Sequence, residues 1–320
     1  MSRRRRGLAA AALAVVPLLA PGARRSELRS QPRTISSGGR ERTYRVYAPP
    51  TLPRDSPAAL VFVFHGGEGD GESVERLTGF DELADSEKFL VVYPDGFGRH
   101  WNDGRAVQSF ETEREGVDDV AFVSDLIGAL SKEFRVDTDR VFATGISNGG
   151  IFSNYLGARL AERIAAIAPV AGTLAEPLRT DFHPARAVSV LLVSGLDDPI
   201  VPYAGGALAS AHGSVVGAEA TARLWARSDG CEAEPAKDRP TARVDACRTL
   251  RSRWTGGRGK TEVVLDTIEG GGHTWPGGPQ YAPKILIGRA CPQPDATREI
   301  WEFFKKHPHI AEANSTEGHS

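Results

Sequence analysis

Three loops of this chain carry residue types that could together perform acyl transfer. The first is Gly145-Ile146-Ser147-Asn148-Gly149-Gly150, a serine set between glycines. The second, Ser194-Gly195-Leu196-Asp197-Asp198-Pro199-Ile200-Val201-Pro202-Tyr203, is acidic, and the third places His273 in Gly270-Gly271-Gly272-His273-Thr274-Trp275-Pro276-Gly277-Gly278. Their order is nucleophile, acid, base. A serine hydroxyl is a weak nucleophile until a base removes its proton, and an imidazole does so near neutral pH. A carboxylate behind the imidazole holds the useful tautomer and stabilises the imidazolium.

Each loop needs an element to position it. Arg140-Val141-Phe142-Ala143-Thr144 reads as a buried strand ahead of Ser147, and Ile151, Phe152, Tyr155 and Leu156 recur at helical spacing after it. Strand, Gly-x-Ser-x-Gly, helix is the context of a nucleophile elbow, in which the turn is too tight for a Cβ beside the serine. In a chain with 35 glycines the pentapeptide alone carries little weight, and its flanks carry the reading. The backbone amide of Asn148, first in that helix, would face a developing oxyanion. The apolar run Ala59 to Phe64 leads into His65-Gly66-Gly67-Glu68-Gly69, where Gly67 is the expected second amide donor.

Further strands are expected at Thr43 to Ala48, Phe89 to Tyr93, Ile164 to Val170, Val188 to Val193 and Val263 to Ile268. Helices are expected after Gly116-Val117-Asp118-Asp119, at Ala218 to Trp225 and at Ala296 to Phe304. The two aspartates are explained by capping at the positive end of the helix dipole. The alternation implies an α/β fold: a mostly parallel sheet covered on both faces, with the chemistry at the carboxyl ends of its strands.

At 320 residues, 40% hydrophobic and 25% charged, the chain can bury the core of one large domain. A net charge of −2 gives no reason to expect nucleic acid or an anionic membrane as partner. Residues 1–23 read as a signal peptide, with Arg3 to Arg6 before a short apolar run from Gly7 to Ala20 and small residues at Ala20-Pro21-Gly22-Ala23. The apolar run is too short for a membrane anchor, and removing four arginines would leave a mature chain near −6. The expected organisation is a disordered lead-in at 24–40, a catalytic domain at 41–307 and a polar tail at 308–320. A secreted protein is compatible with a disulfide between Cys231 and Cys247, sixteen positions apart in a polar stretch, which leaves Cys291 as a spare thiol. No cysteine or histidine spacing suggests a metal, and no cofactor is implied. Oligomeric state is not encoded in any feature of the pattern.

Together, Gly-x-Ser-Asn-Gly-Gly, Asp198-Pro-x-Val-Pro-Tyr and Gly-Gly-His273-Thr-Trp-Pro-Gly-Gly resemble the esterase family named for polyhydroxybutyrate depolymerases, which also contains feruloyl and acetylxylan esterases. The resemblance spans Thr43 to Phe304 and includes Tyr93-Pro94-Asp95, Trp101-Asn102 and Val117-Asp118-Asp119. It implies an α/β-hydrolase fold and a serine esterase with Ser147, Asp198 and His273 as its triad. The chain departs from the pattern at Gly67, where the family often has cysteine, and at Ser194, where it often has histidine. Asp197 beside Asp198 leaves two candidates for the acid, and the spacing to Val201-Pro202-Tyr203 favours Asp198. Trp101, Tyr203 and Trp275 are candidate substrate contacts, with ordinary packing as the other explanation. With the chain ending after its last helix, no separate polymer-docking module is expected. The expected substrate is therefore a soluble or oligomeric ester, such as a feruloyl or acetyl ester of plant polysaccharide. The alternatives are a polyhydroxyalkanoate depolymerase, a peptidase, and a non-catalytic binding module of the same fold.

Overall fold

The computed structural model describes residues 28–310 except position 54. The expected signal peptide, the start of the lead-in and most of the polar tail lie outside those residues.

The chain forms a ten-stranded sheet in the order β1-β2-β4-β3-β5-β6-β7-β12-β11-β10. In sequence these are β1 (Gln31–Ser37), β2 (Arg40–Tyr47), β3 (Ala58–Phe64), β4 (Leu90–Pro94), β5 (Val136–Ile146), β6 (Ala166–Val170), β7 (Ser189–Gly195), β10 (Ala236–Lys237), β11 (Arg248–Trp254) and β12 (Val263–Glu269). The short strands β8 (Gly205–Ala207) and β9 (Ser214–Val216) make a separate hairpin. From β4 across to β12 the central strands are parallel, while β1, β2, β11 and β10 pair antiparallel at the two edges. Parallel strands buried on both faces need continuous apolar sequence, and Ala58–Phe64 is buried at every position.

Successive residues serve opposite faces. Leu60, Phe62 and Phe64 join one core with α4 (Asp119–Glu133), α5 (Asn148–Arg159) and α6 (Ala218–Asp229). Ala59, Val61 and Val63 join the other with α1 (Gly71–Thr78), α2 (Phe80–Glu87) and α8 (Ala296–Lys306). Two short helices, α3 (Glu111–Arg114) and α7 (Lys284–Ile287), lie in the connections between strands and longer helices. This is the α/β-hydrolase fold.

The structure corrects three expectations. Residues 31–37, expected in a disordered lead-in, form β1 and pair along their whole length with β2. Beyond Cys247, where no strand is expected before Val263, Arg248–Trp254 forms β11, whose arginines hid the strand. Arg248 pairs with Glu269, Arg251 with Asp266 and Glu299, and Arg253 with Asp238. Finally, the disulfide joins Cys247 to Cys291, and Cys231 is the free thiol. Spacing of 16 was uninformative because the antiparallel β11–β12 pair brings Cys247 beside the loop that returns after His273. The bond closes a span of 44 residues that contains β11, β12 and His273. In the chain-entropy account such a loop is worth about 4 kcal/mol.

Two outcomes check this architecture. Thiol titration of the unreduced, unfolded protein should find one thiol, none in Cys231→Ala and two in Cys291→Ala, and only the last variant should lose stability, by about 4 kcal/mol. Asp229 provides the second. It is fully buried, with Val188 N–H on one oxygen and no hydrogen-bond partner on the other. Burial pushes its carboxyl up to about 8, with Val188 N–H and the Arg258 charge opposing. Because the folded-state value is raised, the contribution to stability is complete below the ordinary carboxylate range and is lost as pH rises through about 8. Asp229→Asn should match the wild type in denaturation midpoint near pH 4 and exceed it at pH 8.5. Equal midpoints at both values would show that Asp229 is not the strained group.

Candidate active site

Ser147 lies between β5 and α5 with φ 58° and ψ −121°, a strained conformation for a residue with a Cβ. Its own N–H is held by the Val170 carbonyl, and its carbonyl starts the helix by accepting from Ile151. The flanking glycines have a steric cause. A Cβ on Gly145 would fall 2.6 Å from the Phe64 carbonyl oxygen, and one on Gly149 only 2.3 Å from the same atom. The end of β3 thus presses directly on the turn.

That pressure brings the two expected oxyanion donors together. A Cβ built on Gly66 would lie 3.4 Å from Ser147 Cβ, and one on Gly67 would lie 4.0 Å from Asn148 Cβ. Asn148 itself is buried, at the N-terminal end of α5, where backbone N–H groups lack helical partners. The neighbouring His65 is also buried. Its Nε2 accepts from Gly96 N–H at 2.9 Å, so its proton is on Nδ1, which donates to the Gly66 carbonyl at 2.7 Å. Burial pushes its pKa down to about 4, and the ring is neutral at working pH.

The acid and base loops leave adjacent parallel strands, β7 and β12. Asp198 Oδ2 meets His273 Nδ1 at 2.8 Å, and both side chains are almost completely buried. The other Asp198 oxygen accepts from the N–H groups of Ile200 and Val201 at 2.8 and 2.9 Å. These three bonds fix the carboxylate in orientation. Asp197 is exposed, and its N–H is bonded to the Gly271 carbonyl. The pairing with histidine therefore falls to Asp198. The His273 backbone is tied to Ile287, and the Tyr281 hydroxyl donates to the His273 carbonyl. Behind them the Cys247–Cys291 bond braces the same loop.

Of the three aromatic candidates, two fall to the packing alternative. Trp101 is fully buried, stacked on Phe152, with its indole N–H on the His65 carbonyl. Trp275 is buried against Phe80, and its indole N–H is bonded to Thr297 of α8. Both are packing residues whose polar atoms are used inside the protein. Tyr203 is half-buried against the core, with its hydroxyl on Thr267 of β12. The capping expectation for Val117-Asp118-Asp119 holds for Asp118, which accepts from Ala121 N–H. Asp119 is instead buried, paired with Arg42 at 2.7 Å and accepting from Asn102 N–H and the Thr112 hydroxyl. Sequence reasoning missed the Asp103–Arg105 pair entirely. Its only signal was two opposite charges inside a turn-rich loop.

Fold and loop geometry together define a hydrolase of the α/β class. Residues 42–201 match the family model described as Esterase PHB depolymerase, a span that includes Ser147 and Asp198. The chain is 31% identical over 268 residues to the "Putative esterase NocK" of Nocardia uniformis subsp. tsuyamanensis, covering 79% of this chain and 76% of that one. It is also 31% identical over 228 residues to feruloyl esterase B of Piromyces equi, covering 68% of this chain and 40% of that longer protein. Among solved structures, an acetyl xylan esterase from Aspergillus awamori aligns with a TM-score of 0.58 and 14% identity, covering 86% of this chain and 99% of that one. The chain belongs to the polyhydroxybutyrate-depolymerase esterase family and is a carboxylic ester hydrolase.

Removing the His273-bonded carboxylate should separate the two adjacent acids. Asp198→Asn is expected to lower kcat on a p-nitrophenyl ester by about 1,000- to 10,000-fold, and Asp197→Asn to change it less than about threefold. The opposite ranking would move the acid to position 197.

Proposed function

We propose that this protein is an exported serine esterase in which Ser147, His273 and Asp198 act as nucleophile, base and orienting acid. One observation carries the reading: the Asp198–His273 bond of 2.8 Å, with the remaining Asp198 oxygen held by two backbone N–H groups. A carboxylate fixed in this way on Nδ1 selects the tautomer whose Nε2 can accept a proton.

In this mechanism Ser147 Oγ attacks the ester carbonyl carbon while its proton passes to His273. The carbonyl oxygen becomes an oxyanion, received by the backbone N–H groups of Asn148 and Gly67. Each such donor is worth about 100- to 1,000-fold in rate. Collapse breaks the bond to the alcohol oxygen, which leaves with the proton from His273. Water, deprotonated by the same imidazole, then attacks the acyl-enzyme and releases the acid. No step calls for a metal or cofactor.

For substrate, the names of the relatives support feruloyl or acetyl esters of plant polysaccharide. The family's own description supports polyhydroxybutyrate as the second reading. Export is supported by the arginine-led apolar segment at 1–23 and by the disulfide. Among the described residues no helix is long and apolar enough to cross a membrane.

The test is acid release from a p-nitrophenyl ester, methyl ferulate, acetylated xylan and amorphous polyhydroxybutyrate, with Ser147→Ala as the blank. Ser147→Ala should reduce turnover at least about 1,000-fold while keeping the wild-type melting profile. Ferulate or acetate release would support the polysaccharide reading, and hydroxybutyrate release the polyester one. Full activity in Ser147→Ala would overturn the mechanism.

A further inference from the structure

The Asn148 side chain is wholly engaged inside the protein. Its Oδ1 accepts from Trp101 N–H at 2.8 Å, and its Nδ2 donates to the Trp101 carbonyl at 3.2 Å and to Asp103 Oδ2 at 2.6 Å. Asp103 is fully buried and is neutralised by Arg105, whose Nε lies 2.9 Å and Nη2 2.7 Å from the carboxylate. Arg105 Nη1 reaches on to the His212 carbonyl, in the turn between β8 and β9. A chain of polar contacts therefore runs from the residue after the nucleophile to the β8–β9 hairpin.

Trp101 grips both oxyanion loops at once. Its backbone holds Asn148, and its indole N–H donates to the His65 carbonyl at 3.0 Å. Phe64 and Phe152 clamp the ring edge-on and face-on. The His65 ring in turn donates to the Gly66 carbonyl, which also accepts from Gly69 N–H at 3.0 Å. In a trans peptide the N–H points opposite to the preceding carbonyl, so fixing Gly66 C=O aims Gly67 N–H the other way.

We propose that Trp101 and the Asp103–Arg105 pair are positioning residues of the oxyanion hole, holding the backbone amides of Asn148 and Gly67 at one spacing. The proposal rests on the serine-esterase reading. Asp103 selects one amide orientation of Asn148. The flipped amide would turn Oδ1 toward the carboxylate and Nδ2 toward Trp101 N–H, and both contacts repel. A buried ion pair is seldom retained for stability alone, because an apolar replacement of similar volume is often equally stable. Here the charge has a geometric task, since a neutral residue at 103 could accept either orientation of Asn148. All three side chains are buried.

The test uses Asp103→Asn and Trp101→Phe in the full-length protein. The first removes the charge at nearly constant shape, and the second keeps an aromatic ring but removes the indole N–H. Each should lower kcat on p-nitrophenyl acetate by about 10- to 100-fold, a fraction of the value of a whole donor, with KM changed less than about threefold. The Ki of an aliphatic trifluoromethyl ketone, which forms an oxyanionic adduct on the serine, should rise by the same factor as kcat/KM falls. If Asp103→Asn does not fold, Trp101→Phe and Arg105→Lys carry the same two readouts. Folded variants with wild-type kcat and Ki, or with losses confined to KM, overturn the proposal. Absence of Ser147-dependent turnover in the unaltered protein would instead overturn the esterase reading, and the positioning role with it.

Discussion

The close approach of the β5–α5 turn to the last carbonyl of β3 is the constraint on which the site depends. Gly145 and Gly149 both face Phe64 O at distances that no Cβ could occupy. The contact forces Ser147 into its strained conformation and sets Ser147 and Asn148 against Gly66 and Gly67. Strain of this kind persists only where surrounding structure over-determines it. Here Val170 O holds Ser147 N–H, Ile151 N–H holds Ser147 O, and Trp101 N–H holds the Asn148 side chain.

Asp198 and His273 are held mainly by hydrogen bonds, with the Ile200 and Val201 amides on one carboxylate oxygen and the imidazole on the other. The two loops are sewn together by Asp197 N–H on Gly271 and Leu196 N–H on Ile268. Gly195 is required there because a Cβ would lie 2.5 Å from the carbonyl oxygens of both Gly271 and Gly272. A disulfide then closes the span that contains His273, whose N–H is bonded to the Ile287 carbonyl.

Buried ion pairs hold the irregular loop around Asn102 and Asp103 in one shape. Asp119 with Arg42 holds the backbone at Asn102, and Asp103 with Arg105 holds Asn148. Asp266 with Arg251 and Glu299 joins β12, β11 and α8 at the other side of the sheet. Such pairs contribute little net stability after desolvation, but their geometry is narrow. Loops too polar to collapse are thereby given defined positions.

Much of this protein was legible in one dimension. Continuous apolar runs predicted the central strands, because a parallel strand covered on both faces has no polar side. The glycine-serine motif with its flanks placed the elbow, since only that residue order satisfies so tight a turn. Spacing to Val201-Pro202-Tyr203 preferred Asp198 over Asp197, and the structure shows Asp198 bonded to His273. The edge strands were not legible. β1 is polar and β11 arginine-rich, and they are strands because a neighbouring strand supplies hydrogen bonds and, for β11, counter-charges. The cysteine pairing was misread because Cys247 and Cys291 are close only after β11, β12 and the loop behind His273 have folded back together. Trp101 and Trp275 look like pocket aromatics beside catalytic motifs, yet the fold buries both and uses each indole N–H as an internal tie. Sequence alone determined which residues could perform the chemistry and in what order they come, because residue type and local turn geometry are short-range properties. Only the tertiary structure decided which neighbours hold those residues in place, because that depends on contacts between segments 30 to more than 100 residues apart, such as Trp101 with His65 and Arg105 with His212.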